Sequence, residues 1–371
     1  MSDAVRRLGS SQEGMTSVGE NMRWAGQRID ALAPGTLPGL ARVSNLVQSV
    51  RSPEFAGITF HEILAKTALN HVPATARMLP DEWTINPYRG CTHACVYCYA
   101  RPTHEHLGLN VLGDFDDQII VKTNIVDVLR AELAKKRVLP PRVALGTSTD
   151  PYQRAEGRYQ LMPGIIRALG EARIPFSVLT KGTLIRRDIP LLAEANRRAH
   201  VEPGLSISFV DEELQQSLEP GTPTTSARLT ALAEIRAAGL DCTVFLAPIL
   251  PILSDRPQQL ERMVRQIAEA GATAVLPSPL YLSSTVRPGF FAWLGRTHPK
   301  LVPDYERIYS GGSEADPRYR RWLDEQLQPL LRRHGLPAPD AGVQDKFALH
   351  GRRAGSPPSA PALDVPPPTL F

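Results

Sequence analysis

Long apolar runs are missing from this chain of 371 residues. The strongest, Phe245 to Leu253, is interrupted by Pro248 and Pro251 and falls well short of the roughly 18 apolar residues that read as a membrane helix. No membrane span is expected. Cysteine is scarce, four residues in all with three of them clustered, which is poor material for a disulfide framework and suits a reducing compartment. No apolar stretch follows the leading Met1-Ser2-Asp3-Ala4-Val5-Arg6-Arg7, so no secretory signal is predicted and a cytoplasmic address is the expectation. A strong excess of one charge is also absent, the formal balance being +4. The basic groups Lys135-Lys136-Arg137, Arg186-Arg187 and Arg197-Arg198 are interleaved with acids. They read first as solvated helix faces, with nucleic-acid binding as the alternative.

Hydrophobic residues, 42% of the chain, suffice for one large α/β domain with flanking pieces. Residues 1–21 are polar and rich in Ser and Gly, and 352–371 are dominated by Pro, Ala and Ser, so both ends are expected to be disordered. Met22 would serve as a later translation start. An N-terminal extension is assigned to 22–80, a core to 81–285 and a helical segment to 286–351.

Within the core, six β-rich runs are expected: Trp83–Tyr88, Arg142–Thr149, Pro175–Lys181, Leu205–Phe209, Thr243–Leu250 and Thr273–Leu280. Between them lie helical patterns with one apolar face, as in Met162/Ile165/Ile166/Leu169 and Leu260/Met263/Val264/Ile267. Asn124 and Asp188 stand where N-caps are wanted, and Gly239 and Gly271 where helices should end. Units of this length wind into a parallel sheet through right-handed crossovers. The expected fold is therefore α/β, an open (β/α)6 partial TIM barrel rather than a closed eightfold one. In such folds reactive groups gather at the carboxyl ends of the strands.

Cys91, Cys95 and Cys98 follow the first of these strands. Three thiolates can hold an iron-sulfur cube by three corners and leave one iron open, whereas purely electron-carrying clusters normally use four. A zinc knob completed by His93, His104 or His106 is the competing reading. Cys242 opens the fifth strand and reads as core packing.

The C-x3-C-x2-C spacing resembles the signature of the radical S-adenosylmethionine (SAM) superfamily. Within it the chain is similar to the spore photoproduct lyase-like, or DNA repair photolyase-like, branch. The likeness rests on Asn86-Pro87-Tyr88-Arg89-Gly90-Cys91 through Tyr99, on Gly146-Thr147-Ser148-Thr149-Asp150-Pro151-Tyr152-Gln153, and on Leu218-Glu219-Pro220-Gly221-Thr222-Pro223. It implies a 4Fe-4S cluster on the three cysteines, bound SAM, its reductive cleavage to a 5′-deoxyadenosyl radical, and an electron donor such as flavodoxin or ferredoxin.

By the same resemblance, Tyr97 matches the aromatic beside adenine, while Thr149, Lys181 and Ser206 match residues that contact the cofactor. Hydroxyls and an ammonium suit a zwitterionic ligand. Ser206 and Ser208 have a second reading as small residues lining a tapered barrel, and Asp150 as a loop cap. Tyr99 either packs on the cysteine loop or relays a hydrogen atom, as the aromatic there does in the lyase. Glu219 and Arg228 are expected to pair and to support the pocket or only pin their loop. The lyase's hydrogen-donating cysteine is replaced here by Thr147, whose O–H bond is too strong for that role. A pyrimidine-dimer lyase thus stands as an alternative and the substrate is open. Trp24, His61, Tyr281, Arg287, Phe290, Phe291 and Trp293 are candidates to roof the barrel or to pack ordinarily.

Overall fold

A computed structural model describes residues 45–72 and 83–336. The expectations for 1–21, Met22, Trp24 and 352–371, and parts of both flanking segments, lie outside the described residues.

The strands are β1 (Leu46–Val50), β2 (Thr59–Ile63), β3 (Asn70–His71), β4 (Trp83–Ile85), β5 (Tyr88–Arg89), β6 (Gln118–Lys122), β7 (Val143–Leu145), β8 (Phe176–Thr180), β9 (Val201–Ser206), β10 (Thr243–Ile249) and β11 (Ala274–Pro279). β4, β7, β8, β9, β10 and β11 lie side by side in chain order, every pair parallel, and β3 adds to β4 antiparallel at one edge. Six parallel strands in sequential order with helical crossovers form an α/β sheet of the expected kind. No closing contact between its two edge strands is recorded among the described residues.

The helices are α1 (Asp114–Asp117), α2 (Ile125–Lys135), α3 (Arg154–Tyr159), α4 (Leu161–Glu171), α5 (Ile189–Asn196), α6 (Glu212–Leu218), α7 (Thr225–Ala237), α8 (Pro257–Glu269), α9 (Arg287–Thr297), α10 (Val302–Ile308) and α11 (Pro317–Arg333). Helix α4 buries Met162, Ile165, Ile166 and Leu169, and α8 buries Leu260, Met263, Val264 and Ile267. Both stripes join one core with the alternating strand residues Phe176 and Val178 of β8, Cys242 before β10, and Leu323, Leu327 and Leu331 of α11. Each such side chain contributes roughly 1.5–3 kcal/mol by leaving water.

Several expectations need correction. β9 begins four residues before the predicted Leu205, because Pro203 and Gly204 have poor strand propensity yet pair well in a central position. β7 is shorter than predicted: Gly146–Thr149 leave the sheet to build the site. Asn124 and Asp188 cap nothing with their side chains. Asn124 instead clasps the Ala65 backbone at 2.7 and 3.1 Å, and Asp188 is held by Arg187 and Tyr152. Tertiary partners outbid the local caps. Unexpected altogether is a second sheet, β1-β2-β6-β5. It places His61 between Ser49 and Gln118 rather than over the barrel mouth.

Candidate active site

The loop after β4 and β5 carries Cys91, Cys95 and Cys98 at the carboxyl end of the parallel sheet. Gly90 makes its first turn at φ +79°, and a methyl group there would meet the Phe115 carbonyl oxygen at 2.8 Å, so only glycine fits. Cys91 and Cys95 are buried and Cys98 is half-buried. Burial pushes the Cys98 thiol up to about 11, the Cys91 sulfur adding to it, and raises the Cys95 thiol well above its ordinary range. Metal binding at these sulfurs must therefore displace protons.

Three segments clamp this loop. The first is the end of β7: Thr149 Oγ1 donates to the Gly90 carbonyl at 2.6 Å, and Gln153 donates to the same carbonyl at 3.0 Å while accepting from Thr92 N at 2.9 Å. The second is the end of α6 and the turn that follows, where Leu218 O accepts from Val96 N at 2.9 Å and Gly221 N donates to His93 O at 3.1 Å. The third is Arg101, buried, which donates to the Cys95 carbonyl at 2.9 Å and grips both oxygens of Asp116.

Glu219 is fully buried and collects Tyr97 Oη, Arg228 Nη2 and, at 3.6 Å, Lys181 Nζ. Burial alone would raise its carboxyl; the charges of Arg228 and Lys181 more than offset this and hold it down to about 2. Arg228 also donates to the Ser206 carbonyl and the Pro223 carbonyl, each at 3.0 Å. Lys181 Nζ lies 5.9 Å from the centre of the Tyr97 ring. One carboxylate thus ties the ends of β8 and β9 to the cysteine loop. Ser208, just past β9, is buried with a hydroxyl that has no partner among the described residues, and such a group is satisfied by a polar ligand or water.

Tyr99 is partly exposed and donates to the Thr147 carbonyl at 2.7 Å. Asn86 steadies the same turn by accepting from Ser148 N at 3.1 Å. Phe290 and Trp293 of α9 pack into one apolar cluster with Cys95 and Tyr97, joined by Tyr305 and Tyr309. Phe291 packs at its margin, while Arg287 binds the Tyr309 carbonyl and Tyr281 stays exposed.

A family model of the Radical SAM superfamily matches residues 85–267. An uncharacterized protein of Mycobacterium tuberculosis is 49% identical over 349 residues, 93% of this chain and 98% of that one. The chain belongs to the radical SAM superfamily. A second relative, an uncharacterized protein of the Acidianus two-tailed virus, is 27% identical over 210 residues, 55% of this chain and 68% of its own. Among solved structures, spore photoproduct lyase complexed with dinucleoside spore photoproduct aligns with TM-score 0.56 over 74% of this chain and 79% of the lyase, at 15% identity. That is a likeness of fold.

Radical SAM membership implies a 4Fe-4S cluster and SAM, and the residues present fit both. Two buried cysteines and a half-buried one share one clamped loop, a buried hydroxyl lacks a partner among the described residues, and an acid with a lysine and an arginine stands alongside. Among the described residues no three His, Cys, Asp or Glu side chains converge on a single ion; thiolates at separate corners of a cube do not converge on a point. Two histidines proposed for a zinc knob are engaged elsewhere, His93 with Asp150 at 3.2 Å and His104 with the Gln118 carbonyl at 3.1 Å.

The Thr149 hydroxyl braces the cysteine loop, donating to the Gly90 carbonyl and accepting from Gln153 Nε2 at 2.8 Å. Asp150, read from the sequence as a loop cap, accepts from Tyr152 N and Thr180 Oγ1 and also from Lys181 N at 2.7 Å. His93, Gln153 and Arg101 were missed as loop supports. His93 and Gln153 sit in the two segments, Asn86–Tyr99 and Gly146–Gln153, that carried the family resemblance; nothing in the sequence marked Arg101.

Proposed function

We propose that this chain holds one 4Fe-4S cluster on Cys91, Cys95 and Cys98 and cleaves SAM reductively to begin radical chemistry on a second substrate. The observation that carries the reading is the Glu219 network, which gathers Tyr97, Lys181 and Arg228 beside the three-cysteine loop. The chemistry supplied by the bound groups is one-electron cleavage of a sulfonium carbon–sulfur bond, which yields methionine and a 5′-deoxyadenosyl radical.

The protein's share is binding, orientation and exclusion of water. Lys181, Ser206 and Ser208 supply the polar contacts for the cofactor's carboxylate, amine and ribose. Tyr97, its hydroxyl pinned by Glu219, presents a ring face to adenine. Arg228 neutralises Glu219 and fixes the end of β9 through the Ser206 carbonyl. Thr149 serves from behind, by holding the loop. Tyr99 stands at the mouth, with its hydroxyl oriented by Thr147 O, where a hydrogen atom can be passed to a substrate radical. The electron comes from an external low-potential donor of the flavodoxin or ferredoxin kind.

Anaerobic reconstitution with iron and sulfide tests the reading. A brown protein that releases 5′-deoxyadenosine from SAM under a strong reductant is expected, with the release lost in Cys98→Ala. A colourless chain that binds zinc stoichiometrically would overturn it.

A lyase acting on pyrimidine dimers in nucleic acid is the second reading, favoured by the fold likeness to spore photoproduct lyase. Thr147 stands against the lyase's own route. Ultraviolet-irradiated DNA incubated with the loaded protein separates the two: unchanged dimer content excludes the lyase.

A further inference from the structure

Helices α2, α4 and α5 border a cleft of about 530 Å³, and none of the residues lining it belongs to the candidate active site. Arg130, Arg167 and Arg187 line it against a single carboxylate, Asp188. That carboxylate is already satisfied, by the Arg187 guanidinium at 2.8 Å to each oxygen and by Tyr152 Oη at 3.1 Å. Arg187 is also anchored at 2.6 Å to Glu156, a buried acid that accepts from Tyr88 Oη, Leu161 N and Met162 N as well. One guanidinium is thus fixed before any ligand arrives, which removes part of the ordering cost of binding.

Packing brings in the other two. A methyl group on Gly164 would lie 2.6 Å from Val126 Cγ2, so α4 and α2 touch closely there. Arg130 stands four residues after Val126 and Arg167 three after Gly164, so each shares a helix face with that contact. Neither is held by an ion pair or a hydrogen bond among the described residues. Like charges lining one cleft without a free acid repel, and an anion between them removes that cost.

We propose that this cleft binds a phosphate-bearing ligand, gripped by Arg130 and Arg167 and seated against Arg187. Guanidinium forks match phosphate oxygens in pairs, and Gln160, also in the lining, supplies an amide donor. The cleft has the volume of a small-molecule site rather than of a lone ion. A free polyphosphate and a nucleic-acid backbone offer the same chemistry, so both are probed. The site does not depend on the cluster assignment.

Calorimetric titration of the full chain with inorganic pyrophosphate, and fluorescence anisotropy with a labelled oligothymidylate, read the two sources. Arg130→Ala/Arg167→Ala is expected to weaken binding of at least one probe by about tenfold or more, and Arg130→Lys/Arg167→Lys, which keeps the charges and loses the forks, by less. Loss for pyrophosphate identifies a free phosphate compound as the ligand; loss for oligothymidylate alone identifies a nucleic-acid backbone. Both arginines are exposed, so thermal unfolding of these variants is expected to match wild type. Arg197→Ala/Arg198→Ala removes two charges outside the cleft and is expected to leave both affinities unchanged. Wild-type protein that binds neither probe overturns the proposal. So does unchanged affinity in Arg130→Ala/Arg167→Ala, or an equal loss in the Arg197 and Arg198 variant, which would make the attraction one of net charge.

Discussion

Gly221 is pressed against the cysteine loop so tightly that any side chain there would overlap the carbonyl oxygen of Thr92 and come within 3.0 Å of the carbonyl carbon of His93. The obstacle is backbone on both sides, so no rotamer relieves it. Gly221→Ala is expected to cost about 1–3 kcal/mol, as overpacking does, and to lower iron retention more than global stability. Urea unfolding beside iron content per chain checks this; equal iron retention would count against the clamp.

Glu219→Gln removes the counter-charge from buried Arg228 and from Lys181. Breaking a buried pair from one side costs about 3–5 kcal/mol. The double variant Glu219→Gln/Arg228→Met is expected to be less destabilised than the sum of the single changes, because the stranded charge is gone. Denaturation midpoints of the four proteins close the cycle, and SAM binding by equilibrium dialysis is expected to weaken in every variant that frees Tyr97.

Tyr99 donates its hydroxyl to Thr147 O from a partly exposed position. Tyr99→Phe should therefore change stability by no more than about 1.5 kcal/mol. If Tyr99 passes a hydrogen atom, 5′-deoxyadenosine released without substrate in deuterated water carries deuterium from the exchangeable hydroxyl. Mass spectrometry of that product is expected to show less deuterium with Tyr99→Phe. The same label content in both proteins would leave Tyr99 a packing residue.

His104 is fully buried, and burial holds its imidazole down to about 4, the Gln118 carbonyl only partly opposing. A group with a depressed folded pKa contributes stability that is complete above its unfolded value near 6.5 and is lost as pH falls to about 4. The loss is on the order of 3 kcal/mol. His104→Gln is expected to flatten the stability profile across that window in pH-dependent urea unfolding of the apo chain.

The six-strand α/β order was legible because each unit carries its own period, apolar stripes at helical spacing such as Leu260/Met263/Val264/Ile267 and glycines at helix ends. The β1-β2-β6-β5 sheet was not. β6 is five residues buried throughout, too short to be told from a helix turn by pattern, and it is a strand because Thr59–Ile63, 59 residues earlier in the chain, pairs with it. Likewise the pairings of Thr149 with Gly90 and of Asp150 with His93 left no sequence signal, since these partners are distant in the chain, whereas the local cap that Asp150 gives Tyr152 N was legible.

From sequence alone came the three-cysteine spacing, the repeating strand and helix units and the likeness to the radical SAM superfamily, all encoded over a few residues or one period. Only the folded chain decided which groups are committed to one another. Glu219 gathers Tyr97, Lys181 and Arg228, and Asp150 holds His93, because the carboxyl ends of successive parallel strands converge on one side of the sheet. Hydrogen bonds across tens of residues leave no periodic trace in the chain that makes them.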